Sequence, residues 1–213
     1  MRGVTTCQTQ SINPAYLSTI PAHPLTDTGR RKTMDRKTDY VLSYSHRHPD
    51  ISALYKRLAA VHKSEIGHTF DTFTKRTALF SGFEVKPASG DHTEAQLQMS
   101  IWIAASLRKK IELLQMTEVP YEPLAMIEPA FTIVGHKHSI YYAYPREDLG
   151  HGRSGIHILN QDTDLSTASI RGVFQLLKLY GNVLKYGADE KQDGYWGGFF
   201  GPVLEKLASG SMD

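Results

Sequence analysis

The chain has 213 residues, 40% hydrophobic and 22% charged, with a formal net charge of only +2. That is enough chain for one well-buried core, and with so little net charge any nucleic-acid-binding surface must be local. The single cysteine, Cys7, excludes an internal disulfide framework and any cysteine-based zinc site.

Residues 1–35 are rich in Thr, Ser, Pro and Gln without helical or strand periodicity, so an irregular N-terminal arm is expected there. Met1 to Ile20 hold no apolar run of the kind a secretory leader needs, and no stretch is apolar and long enough to span a bilayer. The expected setting is therefore intracellular, cytoplasmic or nuclear, with no membrane. Arg30-Arg31-Lys32 and Arg36-Lys37 form a basic cluster that reads as a nuclear address, a phosphate contact or a solvated loop.

Asp39 to Ser45 reads as a strand, with Tyr and Val supplying β propensity. Pro49-Asp50 opens a helix whose apolar stripe is Ile51, Leu54, Tyr55, Leu58 and Val61. Ile66 to Asp71 reads as a loop, and from about Thr77 the chain extends into Leu79-Phe80-Ser81-Gly82-Phe83-Glu84-Val85-Lys86-Pro87. On an extended strand Glu84 and Lys86 share a face while Val85 points away. A carboxylate and an ammonium side by side can hold a divalent cation and steer a water, or can form an ordinary ion pair. Pro87, lacking an N–H, suits the end of a strand.

Asp91 or Thr93 caps a long helix expected to run to about Leu114, with Leu97 and Ile101 on its inner side. Glu94, Gln98 and Trp102 lie one turn apart on a common side. Arg108-Lys109-Lys110 puts positive charge towards the carbonyl end of the helix dipole. Ala130–Val134 and Ser139–Tyr144 read as a hairpin around Gly135-His136-Lys137-His138, and Gly155–Asn160 as a further strand. A second long helix is expected from Ser166, with Ile170, Val173, Phe174, Leu177, Tyr180 and Leu184 on one face, and a short one near Val203 to Leu207. One domain over 36–207 with a tail at 208–213 is the economical division. The alternation of strands and helices gives an α/β class, an α+β mixed sheet flanked by helices.

Asp39, then Glu84-Val85-Lys86, then the glutamine-bearing helix, resembles the PD-(D/E)XK nuclease superfamily, and more closely a fungal family of PD-(D/E)XK nuclease-like domains. The segments carrying the resemblance are Thr38–Leu42, Ile66–Thr69, Gly82–Lys86, Ala95–Trp102, Val134–His136 and the 166–186 helix. The resemblance implies a restriction-endonuclease-like core and a metal-dependent hydrolase, with Asp39, Glu84 and the Val85 carbonyl as ligands of Mg²⁺ or Mn²⁺. It gives Lys86 the task of orienting the attacking water and Gln98 a supporting polar role. His68 reads as a phosphate contact, a group that tunes Glu84, or a loop cap. Local basic groups such as Lys75-Arg76 and Arg108, Lys109 and Lys110 would meet phosphates. Asp71 is the rival first carboxylate. His136 and His138 share a strand face without an evident third ligand. Three functions stay open: a DNA phosphodiesterase, acid–base chemistry on a small-molecule ligand, or a non-catalytic interaction protein on the same scaffold.

Overall fold

In the computed structural model the described residues are 4–17, 19–20, 32–33, 37–146, 155–191 and 193–210. Their elements in chain order are β1 (Val4–Ser11), β2 (Thr19–Ile20), β3 (Lys32–Thr33), β4 (Lys37–Tyr44), α1 (Pro49–Ala60) and β5 (Leu79–Lys86). These are followed by α2 (His92–Thr117), β6 (Glu128–Val134), β7 (Lys137–Arg146), β8 (Gly155–Ser166), α3 (Ile170–Ala188) and α4 (Gly201–Ser209). The main sheet has six strands in the order β1-β4-β5-β6-β7-β8. Only β5 and β6 run parallel among its neighbours. A parallel pair needs a crossover, and α2 is that crossover, lying across the sheet between the two strands it joins.

The strand β5 contains an extra residue. Val41 pairs with Gly82 and Leu42 with Phe80, so Ser81 stands opposite no partner, in the left-handed region at φ 62°. The bulge resets the alternation of side chains. Gly82, Glu84 and Lys86 face α2, while Phe83 stacks with Phe131 and meets Tyr180 of α3 on the other side. A Cβ at position 82 would stand 2.7 Å from the Trp102 ring, so glycine lets α2 settle directly on the strand.

Helix α2 starts where its cap dictates, with Asp91 accepting from the Thr93 N–H at 2.7 Å. It runs one turn past the expected end and buries Met99, Trp102, Ile103, Ser106 and Lys110, whereas Leu97 is exposed. Helix α3 begins at Ile170, capped by Ser169, because β8 continues through the polar stretch to Ser166. Its expected apolar face is split. Ile170, Val173, Phe174 and Leu177 face solvent, while Gly172, Leu176, Val183 and Gly187 are buried, with Gly187 directly against the Phe80 ring. The far end of the sheet is closed by an aromatic cluster of Tyr44, Phe80, Tyr195, Trp196, Phe199 and Phe200.

The irregular arm expected before residue 36 contains a strand. β1 lies antiparallel along β4 from Val4–Tyr44 to Ser11–Lys37, and Ile12 and Leu17 enter the core. Its Thr- and Gln-rich sequence lacks apolar alternation, yet the ladder satisfies its backbone groups at the sheet edge. Arg30, Arg31 and Arg36 of the basic cluster, and the last residues 211–213, lie outside the described residues.

Candidate functional site

The antiparallel ladder that pairs Tyr40 with Phe83 puts Asp39 opposite Glu84 one step further on, so both carboxylates sit on the face covered by α2. The row continues through Thr132 on β6 and Ser139 on β7, a polar line across four adjacent strands. Lys86, two residues beyond Glu84, places its Nζ 3.2 Å from Glu84 Oε1 and 3.8 Å from Glu94 Oε1 on α2. Asp39 Oδ2 accepts the Val85 N–H at 2.7 Å, which fixes one of its oxygens where the β4–β5 ladder ends.

Strand and helix are nearly commensurate here. Two strand residues advance about 6.6 Å and four helical residues about 6.0 Å. Glu94 meets Lys86 and Trp102 packs on Gly82, so Gln98 falls at the level of Glu84. Both Glu84 Oε2 and Gln98 Oε1 are buried acceptors without a hydrogen-bond partner. Two orphan oxygens at one level lack a donor or a cation.

Glu84 is 3% exposed. Burial, then the charge of Asp39, raises its carboxyl to about 7, against the opposing pull of Lys86. Two facing carboxylates with Glu94 nearby outweigh one ammonium, so the corner favours an added positive charge. The donors are all hard oxygens. Among the described residues no group of three His, Cys, Asp or Glu side chains forms a ready-made metal cage. A cation that keeps several waters, as Mg²⁺ does, needs no such cage.

Other residues singled out from the sequence lie elsewhere. Of the readings open for His68, burial disfavours the phosphate contact: the ring lies edge-on to Trp102 at 4.6 Å and is kept neutral by burial and by the charges of Lys110 and Lys109. It packs beneath the site and meets no solvent-borne phosphate. Arg108 and Lys109 also differ from the phosphate-contacting role. Arg108 donates to the Tyr16 carbonyl at 2.7 Å, and Lys109 pairs with Glu112 at 2.8 Å over the Tyr16 ring. Both faces of α2 that carry them are occupied by the turn Pro14–Tyr16. Asp71 caps its own loop, accepting from Phe73 and Thr74 amides, which holds it below the usual carboxylate range. His138 bonds Tyr180 through Nδ1 at 2.7 Å, and His136 is exposed at the hairpin tip.

Lys37 of the N-terminal basic cluster and Lys137, which the sequence did not single out as a basic contact, gather at the same sheet end. Lys37 begins β4, and Lys137 begins β7 opposite Val134, itself beside Lys86. The signal was available only in topology, because the parallel β5–β6 register carries the 134–137 hairpin to the end of β5. Gly135 closes that contact, with φ 58° and its N–H donating to the Lys86 carbonyl at 3.0 Å.

A mixed six-stranded sheet flanked by helices, with an Asp strand, a Glu-x-Lys strand and a helical crossover, defines a restriction-endonuclease-like α/β fold. The family model of the PD-(D/E)XK nuclease superfamily matches residues 1–196, and the chain belongs to that superfamily. No curated protein and no solved structure matches it. Among the described residues no helix is long and apolar enough to cross a membrane.

Proposed function

We propose that the chain hydrolyses phosphodiester bonds of DNA with the help of Mg²⁺ or Mn²⁺, held by Asp39, Glu84 and the Val85 carbonyl. The observation that carries this reading is the unpartnered Oε2 of Glu84, a residue that stands opposite Asp39 and whose other oxygen, Oε1, lies 3.2 Å from Lys86 Nζ. When bound there, such a cation makes a coordinated water more acidic and offsets charge on the phosphate. Lys86 reaches the same carboxylate and orients the attacking water by donating to it. Gln98 Oε1, at the level of Glu84, accepts a hydrogen bond from that water and so sets its direction. Lys37 and Lys137 contact neighbouring phosphates and fix the strand over the site.

Incubating purified protein with plasmid and short duplexes in Mg²⁺ or Mn²⁺ tests this directly. Cleavage is expected to fall at least about a hundredfold in Glu84→Ala and in Lys86→Ala. Cleavage indifferent to both changes, or none from the parent chain, rejects the proposal.

The Glu84 carboxyl at about 7 favours a second reading, proton transfer to and from a small organic ligand in the same corner. The two readings separate on chelation. A phosphodiesterase is silenced by EDTA, and proton transfer by Glu84 is not.

A further inference from the structure

The other end of the antiparallel β4–β5 pair carries a second place where chemistry gathers. Between α1 and the segment 64–77 lies a cavity of about 550 Å³, within the range of small-ligand sites. It borders Thr77, seven residues before Glu84 along the chain, so about 20 Å of strand separates it from the carboxylate corner.

The floor is apolar. Leu58 and Ala59 line it, and the Tyr55 hydroxyl is already committed, donating to the Tyr44 carbonyl and accepting from the Ala78 N–H, both at 3.0 Å. The wall is aromatic. Phe73 is 50% exposed and stands edge-on to the His46 ring with centroids 5.3 Å apart. The backbone that presents Phe73 is held by Asp71, which accepts the Phe73 N–H at 2.8 Å and the Thr74 N–H at 3.0 Å.

The rim is cationic. Asp71 is the one carboxylate among the lining residues, and its charge is engaged by those amides. Lys75 is neutralised by Glu65 at 2.7 Å. Lys56 and Arg76 line the cavity, and among the described residues neither has a carboxylate at ion-pair distance. His46 adds a third nitrogen-bearing group.

A flat ring against Phe73, with a doubly charged anion between a guanidinium and an ammonium, matches this lining in both parts. We infer that the cleft binds a phosphorylated aromatic of the nucleoside monophosphate class. A bare phosphate would leave the apolar wall uncovered, and a nucleoside would leave Arg76 and Lys56 unanswered. The same chemistry is offered by a free mononucleotide and by the 5′-phosphorylated end of a single strand. The strand end as source rests on the proposed function, whereas the free mononucleotide does not.

The test is calorimetric titration of the full chain with AMP, with adenosine and with inorganic phosphate. AMP is expected to bind at least about tenfold more tightly than either fragment. Arg76→Ala and Phe73→Ala are each expected to weaken AMP about tenfold, with thermal melts confirming that these exposed substitutions leave the fold intact. Glu84→Gln leaves AMP binding unchanged. AMP binding no tighter than its fragments, or unaffected by both cleft variants, or lost with Glu84→Gln, overturns the assignment. A 5′-phosphorylated oligonucleotide that displaces AMP identifies a strand end as the source; failure to displace it identifies the free nucleotide. Absent cleavage with intact AMP binding rejects the nuclease reading alone.

Discussion

Two buried carboxylates stand on neighbouring strands beneath the same helix, and their surroundings could hardly differ more. Glu128 on β6 is enclosed by donors: the Ser81 N–H at 3.2 Å, the Ser106 hydroxyl at 2.9 Å, the Tyr195 hydroxyl at 3.2 Å and the Lys110 ammonium. Lys110 in turn lies over the Tyr195 and Phe200 rings. Glu84 on β5 has one ammonium, a facing carboxylate and an oxygen with no partner. A buried charge with a full set of partners fixes a fold, while one left incomplete costs stability and is available for chemistry. The pair therefore separates scaffold from site within one layer of the protein.

The comparison breaks first at Lys110. Replacing it with methionine keeps the volume but leaves Glu128 charged in the core without its cation, so a loss of about 3–5 kcal/mol is expected in urea denaturation. Adding Glu128→Gln should recover a large part of that loss. If Lys110→Met costs under about 1 kcal/mol, the Glu128 corner is not the scaffold described above.

The opposite sign is expected at Glu84. Its folded value of about 7 lies above the ordinary carboxylate value of 4.5, so the folded protein binds more protons than the unfolded chain between these limits. Stability then falls as pH rises from about 4.5 to 7, by about 2–3 kcal/mol from this group. Glu84→Gln removes that slope and stabilises the protein at pH 8 by a similar amount, while abolishing cleavage. Melting curves at pH 5 and pH 8 for parent and variant check both statements.

Much of this was readable in the sequence. Glu84 and Lys86 share a strand face, and Gln98 shares a helix side with Glu94 and Trp102, as alternation and helical spacing predict from neighbours within a strand or a turn. The placing of Asp39 opposite Glu84 follows instead from the β4–β5 register. The Glu128 corner was not readable. Lys109-Lys110 looks like a basic helix end, and its burial follows from Glu128 eighteen positions later and from Tyr195, a distance no local pattern spans. The exposed face of α3 was hidden for a related reason. An apolar stripe announces a helix, but which arc is buried was decided by Gly172 and Gly187, the flat positions that admit close packing. The strand β1 left no apolar alternation because its pairing is made by backbone groups.

A gentler way to sharpen the contrast uses the cation. If Glu84 is a ligand, protons compete with Mg²⁺ for it, so affinity should weaken about tenfold per pH unit below 7 and level off above. Calorimetry from pH 5.5 to 8.5 reads this slope. A flat profile would remove Glu84 from the ligand set and leave Asp39 and the Val85 carbonyl.

The smallest effect is expected at Ser81, which links the two corners. Its amide leaves the β4–β5 ladder and donates to Glu128, and the turn of backbone that allows this puts a serine at φ 62°. A side chain there costs about 1–2 kcal/mol, and the Ser81 hydroxyl is itself buried without a partner. Ser81→Gly relieves both costs while adding freedom to the unfolded chain, for a net gain of about 1 kcal/mol. Ser81→Val keeps the strain and adds β-branching at a positive φ, so it should destabilise by more than glycine stabilises. Because the same bulge turns Gly82, Glu84 and Lys86 towards α2, the valine variant should also lose cleavage activity while still folded. Equal stability of the glycine and valine variants would mean that the bulge, and with it the division between the two carboxylates, is not set at Ser81.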